Sequence, residues 1–348
     1  MSANPAPLAA DGGRHSVRPK FAYGGQALME GVLMRGRNAI AVALRHPDGR
    51  IVTATEPLDS GIHGSKAAKW PFVRGLVVLY ETLVIGTRWL VRSANVQAEE
   101  DDVELGKGPI IITLVITFGI AIAVFSLLPL FVSSVATSGA SQGWVQPAVE
   151  GLIQVALFLG YLTLVSRTPD IHRVFQYHGA EHMTIHALEA GDPLTVDEVR
   201  KYPTAHHRCG TEFLVILVLL SIFAFSLVGR QEPLVMIASR LLGIFVLAAV
   251  GYEVLKLGAR FRHYRIVRAI MFPGILVQMI TTKRPTDDMI EVAISSMEEA
   301  LTADGNPIPE GSTMFEHEPL EIGAKKKAAS EASEPVATAS PDEPPAVS

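Results

Sequence analysis

Residues Ile110–Val132 read IIITLVITFGIAIAVFSLLPLFV, and these 23 residues contain no charged side chain. A helix needs about 20 consecutive apolar residues to cross the hydrocarbon core of a bilayer. The stretch therefore predicts a transmembrane helix and assigns the protein to the membrane class. The composition agrees, because 49% of the residues are hydrophobic and the mean hydropathy is +0.30.

Three further apolar stretches predict additional spans: Ala148–Val165, Phe213–Val228 and Leu234–Leu257. A fifth stretch, Leu76–Val91, carries Glu81 near its middle, so we expect an amphipathic helix on the membrane surface or a buried core helix. The expected fold class is a mostly α membrane protein with about four transmembrane helices and a small cytosolic α+β part that contains a β-hairpin.

The distribution of Lys and Arg predicts the orientation of these spans. The two connections on one side, between the first and second spans and between the third and fourth, carry a single such residue, Arg230. The other side carries many of them, before the first span, in the long central loop and after the fourth span. The positive-inside rule therefore predicts that both termini and the central loop are cytoplasmic.

The chain divides into seven predicted segments. They are a disordered leader (1–20), a cytosolic β-hairpin domain with an amphipathic helix (21–108), transmembrane helices one and two (109–166), a cytosolic His-rich loop (167–212), transmembrane helices three and four (213–258), a cytosolic C-terminal segment (259–305) and a disordered tail (306–348). The two ends are too poor in apolar residues to form a packed core.

The first cytosolic segment contains a readable hairpin. AIAVALRH (39–46) and RIVTATE (50–56) flank the turn Pro47-Asp48-Gly49, which predicts two paired strands. The preceding YGGQALMEGVLMRG (23–36) holds four glycines, which predict tight turns, close backbone approach or an ordinary glycine-rich connection. Near the C-terminus, residues 286–301 predict an amphipathic helix that packs on this domain.

The central loop contains the most informative motif, YHGAEHMTIHALEAG (177–191). His178, Glu181 and His182 match H-x-x-E-H, the inverted form of a zinc-metallopeptidase motif. Residues four apart on a helix are about 6 Å apart along its axis, so two imidazoles can converge on one ion. Glu181 lies on the adjacent flank, where it could act as a general base toward water.

The remaining ligands stay open at this level. His206, His207, Cys209 and Glu30 are candidates for a third ligand, and the single cysteine excludes an intrachain disulfide. His186 lies eight residues from His178, about 12 Å along the axis, so we expect it to bind a second ion, orient a ligand or contact substrate. The alternative is that these histidines are interfacial side chains beside lipid headgroups.

Four blocks of sequence resemble the YqhQ-like family of bacterial multipass membrane proteins, a domain of unknown function. They are GGQALMEGVLMRG (24–36), YHGAEHMTIHALE (177–189), HRCGTEF (207–213) and PGILVQMITTKRPTDDMIEVAI (273–294). The resemblance implies an inner-membrane protein and a predicted metal-dependent enzyme. The family pattern falls on Gly25, Gln26, Met29, Glu30, Gly31, Arg35, His178, Gly179, Glu181, His182, His186, Arg208, Cys209, Gly210, Thr211, Pro273, Gly274, Gln278, Thr281, Thr282 and Pro285. Met183 departs from the Lys expected at its position, and we expect this change to alter surface charge only.

The predicted function is that of a metal-dependent inner-membrane enzyme that hydrolyses a lipid or peptide bond near the membrane at the cytosolic face. Glu181 is the expected base, and Arg35 or Arg208 the expected anion-binding group. The expected cofactor is a divalent metal ion, zinc first, with iron and manganese as alternatives. The expected partners are the lipid bilayer and a lipid or membrane-protein substrate, not nucleic acid. The alternative function is a non-enzymatic scaffold or regulatory protein, with or without metal.

Overall fold

The computed structural model describes residues 21–58, 70–98, 107–139, 144–206, 209–228, 231–261 and 263–320. The predicted leader (1–20) and residues 321–348 of the predicted tail lie outside this range, as do His207 and Arg208. The strands are β1 (Gly24–Leu28), β2 (Gly31–Arg35), β3 (Ala39–Arg45), β4 (Ile51–Pro57) and β5 (His317–Pro319). The helices are α1 (Val73–Ala98), α2 (Lys107–Ile122), α3 (Leu128–Ala136), α4 (Val145–Val165), α5 (Pro169–Ala190), α6 (Val196–Val199), α7 (Gly210–Val228), α8 (Pro233–Arg260), α9 (Arg265–Thr281) and α10 (Asp287–Ala303).

The five strands form one sheet in the order β1-β2-β3-β4-β5. β3 and β4 form the predicted hairpin, in which Ala39 pairs with Pro57 and Arg45 with Ile51. Gly49 in the turn has a φ of +94°, a conformation that glycine adopts without steric cost. The prediction of a hairpin in this part of the chain is confirmed.

β1 and β2 form a second hairpin within the stretch whose glycines predicted turns, close approach or a connection. Its turn gives Glu30 a φ of +52°, which is uncommon for a residue other than glycine. A Cβ at Gly31 would lie 2.4 Å from the Ala43 carbonyl oxygen, so this glycine lets two strands approach closely. The expectation of close backbone approach is confirmed, and the alternative of a plain connection is wrong because the stretch is paired strand.

Helices cover both faces of the sheet, and we call this unit the sheet domain. α10 packs on β2, β3 and β4, where the Ser296 hydroxyl lies 3.1 Å from the Val32 carbonyl oxygen. α1 covers the opposite face with the fully buried Trp89. The prediction that the C-terminal amphipathic helix packs on the hairpin domain is confirmed.

Four stretches are long and apolar enough to cross a membrane: Ile111–Ala136, Val145–Val165, Gly210–Val228 and Leu234–Gly258. They correspond to the four predicted spans, with ends shifted by a few residues. The first is interrupted by a π-helical turn at Ala123–Leu127. Pro129 lies two residues after this turn and has no N–H to donate, so the break in the helical hydrogen-bond pattern has a local cause.

A buried ion pair joins two of these helices. The Arg240 guanidinium of α8 donates to the Glu150 carboxylate of α4 at 2.8 and 2.7 Å, and the two side chains are 4% and 3% exposed. The guanidinium carbon also lies 3.7 Å from the centroid of the Phe225 ring. This pairing connects three spans, because Phe225 belongs to α7.

α1 connects the sheet domain to the end of α8. Its Arg74 donates to the Glu253 carboxylate at 2.7 Å, and a Cβ at Gly75 would lie 2.7 Å from Cβ of Tyr252. The expected amphipathic helix is therefore present and longer than Leu76–Val91. It buries Glu81 and Trp89 while leaving several apolar side chains exposed.

The C-terminal region corrects one expectation. Within the segment 259–305, which we expect to be cytosolic, helix α9 packs alongside α7 and α4, two of the candidate spans. The disordered tail was expected to begin at 306, yet β5 adds to the sheet in parallel with β4, pairing His317 with Ile51. The boundary at 306 is wrong because residues 317–319 are ordered by pairing with the edge of β4. Local composition does not reveal this pairing.

Candidate metal centre

The helix that carries the motif, α5, has a local sequence signal at each end. α5 has Pro169 at its first position and Asp170 in its first turn, both favourable at a helix N-terminus. Gly191 at its C-terminal end has a φ of +79°, the left-handed conformation that commonly ends helices. His178 and His182 are therefore neighbours on one face, with ring centroids 4.4 Å apart.

Cys209 joins these two histidines. The potential ligand atoms of His178, His182 and Cys209 all lie within 4.8 Å of one another, and His178 Nε2 lies 3.2 Å from Cys209 Sγ. Ligand bonds of about 2.0–2.3 Å put neighbouring ligand atoms of a tetrahedral zinc site about 3.5 Å apart. The three side chains thus fit one transition-metal ion with small adjustments, and the nitrogen and sulfur donors suit zinc.

Backbone carbonyls orient both imidazole rings. Nδ1 of His178 lies 2.9 Å from the Thr281 carbonyl oxygen, and Nδ1 of His182 lies 2.6 Å from the Thr204 carbonyl oxygen. A carbonyl oxygen only accepts, so each Nδ1 must carry the hydrogen and each neutral ring keeps its lone pair on Nε2. This is the arrangement in which histidine ligands of metals are held by an outer hydrogen bond.

Two close contacts hold the carbonyls in place. A Cβ at Gly179 would lie 2.1 Å from the Lys283 carbonyl oxygen, so only glycine lets α5 meet the end of α9 this closely. The fully buried Gln278 side chain accepts from the His206 backbone N–H and donates to its carbonyl, both at 2.9 Å. The loop that leads to Cys209 is therefore clamped to α9.

Glu181 is buried beside the cluster, with 4% of its surface exposed. One carboxylate oxygen would lie 3.0 Å from a Cβ at Gly25, so glycine in β1 makes room for it. The other oxygen, Oε2, makes no hydrogen bond to any residue that the structure describes. Burial raises the pKa of Glu181 to about 7, although the electrostatic interaction with His178 opposes the rise.

Burial also controls the protonation of the proposed ligands. It lowers the pKa of His182 well below its ordinary value, assisted by the other histidines, beginning with His178. The imidazole is therefore neutral near pH 7, which is the form that binds metals. Burial raises the pKa of the Cys209 thiol, while hydrogen bonds from Thr211 act in the opposite direction.

The other predicted site residues that the structure describes are not part of this three-residue cluster. His186 contacts the Ala205 carbonyl oxygen through Nε2 at 2.9 Å. Glu30 lies at the β1–β2 turn and accepts a two-oxygen ion pair from Arg173 at 2.5 Å. Arg35 donates to Glu81 of α1 at 2.6 Å. The predictions for His207 and Arg208 fall outside the described residues.

Three features of the site are not predicted from the sequence. The carbonyl partners at Thr204 and Thr281 leave no mark on residue type, since every residue has a carbonyl group. The clamp by Gln278 falls in a block that carried the family resemblance, but nothing in the sequence assigned it a contact. Met183 was expected to alter surface charge, which is wrong because its side chain is fully buried in the core with Tyr177 and Ile185.

Comparison with known proteins agrees with the resemblance seen in the sequence. The profile of a family described as a protein of unknown function, DUF1385, matches residues 70–303. The uncharacterized protein YqhQ of Bacillus subtilis (strain 168) is 33% identical over 301 residues, which cover 83% of this chain and 94% of the relative. No solved structure matches. The chain therefore belongs to the DUF1385 family, which includes YqhQ-like proteins.

Proposed function

We propose that this protein is a metal-dependent enzyme of the bacterial inner membrane, with His178, His182 and Cys209 as metal ligands. The observation that carries the proposal is the pair of Nδ1-to-carbonyl hydrogen bonds. They leave Nε2 as the lone-pair nitrogen of both rings beside a cysteine sulfur. Three protein ligands are also typical of catalytic zinc sites, whose fourth position is open to water or substrate.

The proposed reaction is hydrolysis of a bond near the membrane surface. A divalent metal ion supplies Lewis-acid activation of water at such a site. We assign Glu181 the role of general base, because a carboxylate with a pKa of about 7 is suited to proton transfer at neutral pH. Arg35 is not assigned an anion-binding role, since its guanidinium is engaged by Glu81, and Arg208 keeps that assignment.

The proposed location is the cytosolic face, with both termini in the cytoplasm. The support is the charge distribution, because Lys and Arg are concentrated on the side of the spans that carries the sheet domain. Zinc is the proposed ion, and iron and manganese are alternatives that metal analysis separates.

A structural metal without catalysis is the second candidate. The observation that favours it is that the cluster joins α5 to the segment directly before α7, while α9 supplies a carbonyl to one ligand. An ion there would hold three parts of the chain together. Such a site would serve a scaffold or regulatory protein.

Metal analysis of the purified protein tests the site itself. We expect about one ion per chain in the wild type, and its loss in a His178→Ala/His182→Ala variant. His186→Ala is the matched control, because it removes a histidine from the same helix outside the cluster. Cobalt(II) loaded into the wild type should show sulfur-to-metal absorption that disappears in Cys209→Ser. Folded wild-type protein that binds neither zinc nor cobalt would refute the site.

Glu181→Gln separates the enzyme from the structural metal. The variant should keep its metal in both cases. If the protein is an enzyme, cellular function should be lost as completely as in the ligand variants. Wild-type cellular function in Glu181→Gln, combined with loss in the ligand variants, would favour the structural role.

A further inference from the structure

α9 carries an apolar face that no described part of the protein covers. Its buried side faces α7, where a Cβ at Gly274 would lie 2.7 Å from Glu212 Cγ. The opposite side is exposed and includes Ile266, Ile270, Phe272, Leu276 and Met279. Residues 269–282 contain no charged side chain. Such a face is too apolar and too continuous for a surface in contact with water.

A band of positive charge precedes this apolar face. Five Lys or Arg residues lie between positions 254 and 268, two more follow the apolar face at 283 and 284, and residues 254–286 contain no Asp or Glu. Lys256, Arg260, Arg265 and Arg268 are all exposed around the corner between α8 and α9. The aromatic Phe261 and Tyr264 lie between them and are also exposed. Cations and aromatic rings directly next to a span are typical of the headgroup region of a membrane.

We propose that α9 is an interfacial helix that binds anionic lipid. Its apolar face enters the acyl boundary, and Arg260, Arg265 and Arg268 contact the phosphate groups of anionic headgroups. Two observations select the bilayer as the occupant of this face. α9 packs against α7 and α4, so its exposed side continues the lipid-facing surface of candidate spans. The uninterrupted positive charge beside it is complementary to anionic lipid.

The placement of α9 links the bilayer to the candidate metal centre. The Thr281 carbonyl that orients His178 belongs to the last turn of α9, and Gln278 of the same helix clamps the loop before Cys209. Resting on the proposed function, the centre would lie at the membrane surface and receive substrates from the lipid phase. The interfacial position of α9 itself does not depend on a metal.

Fluorescence quenching tests whether α9 enters the bilayer. Full-length Phe272→Trp protein is reconstituted in vesicles of phosphatidylcholine with and without brominated acyl chains. Phe315→Trp is the matched control, because Phe315 packs against the core of the sheet domain. Relative to wild type, brominated lipid should remove most of the fluorescence added by Phe272→Trp and little of that added by Phe315→Trp. Equal quenching of the two, as when protein or water covers α9, would overturn the proposal.

Lipid dependence tests the charged band. Adding phosphatidylglycerol to phosphatidylcholine nanodiscs should raise the melting temperature of the wild type, and Arg265→Gln/Arg268→Gln should lose most of this increase. The control variant Arg37→Gln/Lys201→Gln removes the same amount of positive charge from the sheet-domain side and should keep the full increase in melting temperature. Inorganic phosphate should not substitute for the lipid. An equal response to phosphate, or an unchanged response in Arg265→Gln/Arg268→Gln, would overturn binding to headgroups. Neither experiment requires the metal site. The proposal that α9 is an interfacial helix can therefore fail while the proposed function survives.

Discussion

Glu298 gives this protein a pH-dependent stability that can be measured. The side chain belongs to α10 of the sheet domain and is 1% exposed. Neither carboxylate oxygen has a hydrogen-bond partner among the described residues. Burial, followed by the negative charge of Glu299, raises the pKa of Glu298 from 4.5 to about 7. The folded protein therefore favours the protonated carboxyl group.

The sign of the effect follows from this raised pKa. Below about pH 4.5 the group is protonated in both the folded and the unfolded chain, so it costs nothing. As the pH rises toward 7, the unfolded chain releases the proton first and the folded state loses stability. A shift from 4.5 to about 7 corresponds to about 3 kcal/mol at 1.36 kcal/mol per pKa unit. The loss is complete above pH 7.

Glu298→Gln removes the titrating group with little change of shape. At pH 8 we expect the variant to be more stable than the wild type by about 3 kcal/mol, and at about pH 4.5 the two should be nearly equal. At about 2 °C per kcal/mol for a protein of this size, the difference at pH 8 is about 6 °C in melting temperature. Thermal unfolding in detergent across this pH range measures it.

The control is Glu310→Gln, which removes an exposed carboxylate at the surface and should leave the pH profile of the wild type unchanged. A difference between Glu298→Gln and wild type that is the same at low and high pH would show that Glu298 does not titrate in this range. That result would refute the reasoning from burial.

Three further predictions follow from single contacts. Glu150→Gln should destabilise the protein by about 3–5 kcal/mol, because it leaves the Arg240 charge buried without its partner. The double variant Glu150→Leu/Arg240→Met should restore much of the melting temperature, and a double variant no more stable than the single one would contradict this. Gly179→Ala should lower metal affinity about 10–100-fold, because its Cβ would displace the Lys283 carbonyl, which lies against α5 just after the end of α9. Titration with zinc against a competing chelator measures this affinity, and a wild-type value would refute the prediction. Glu181→Gln should retain stoichiometric metal but make metal retention less dependent on pH between 5 and 8, since it removes the carboxyl group whose pKa is raised to about 7. Unchanged pH dependence in metal analysis would show that Glu181 is not coupled to the site.

The sequence predicts those parts of the structure that depend on local pattern. The candidate spans follow from long apolar runs, two of which contain no charged residue, because a bilayer core leaves no backbone group unpaired and so favours a continuous helix. The limits of α5 follow from Pro169 and Gly191, whose backbone preferences act within one turn. The β3–β4 hairpin follows from a short turn between alternating residues. In each case the cause lies within a few residues of its effect.

The β1–β2 hairpin and β5 show where local pattern was insufficient. The glycines at 25 and 31 were visible as signals of close approach, but the groups they approach belong to other elements. β5 is a three-residue strand in a region whose composition predicts disorder, and it is ordered by pairing with the edge of β4. Partners that are distant in the chain leave no mark on the local sequence.

For the candidate centre, the sequence alone determined that His178 and His182 share a helical face and that Glu181 stands beside them, because helical periodicity requires it. Only the tertiary structure decided that Cys209, rather than Glu30 or His186, lies beside the two histidines. It also decided which nitrogen of each ring faces the cluster, through carbonyl groups that any residue could supply. The physical reason is that spacing along one helix is set by the helix itself, whereas a contact between three chain segments is set by how the whole protein packs.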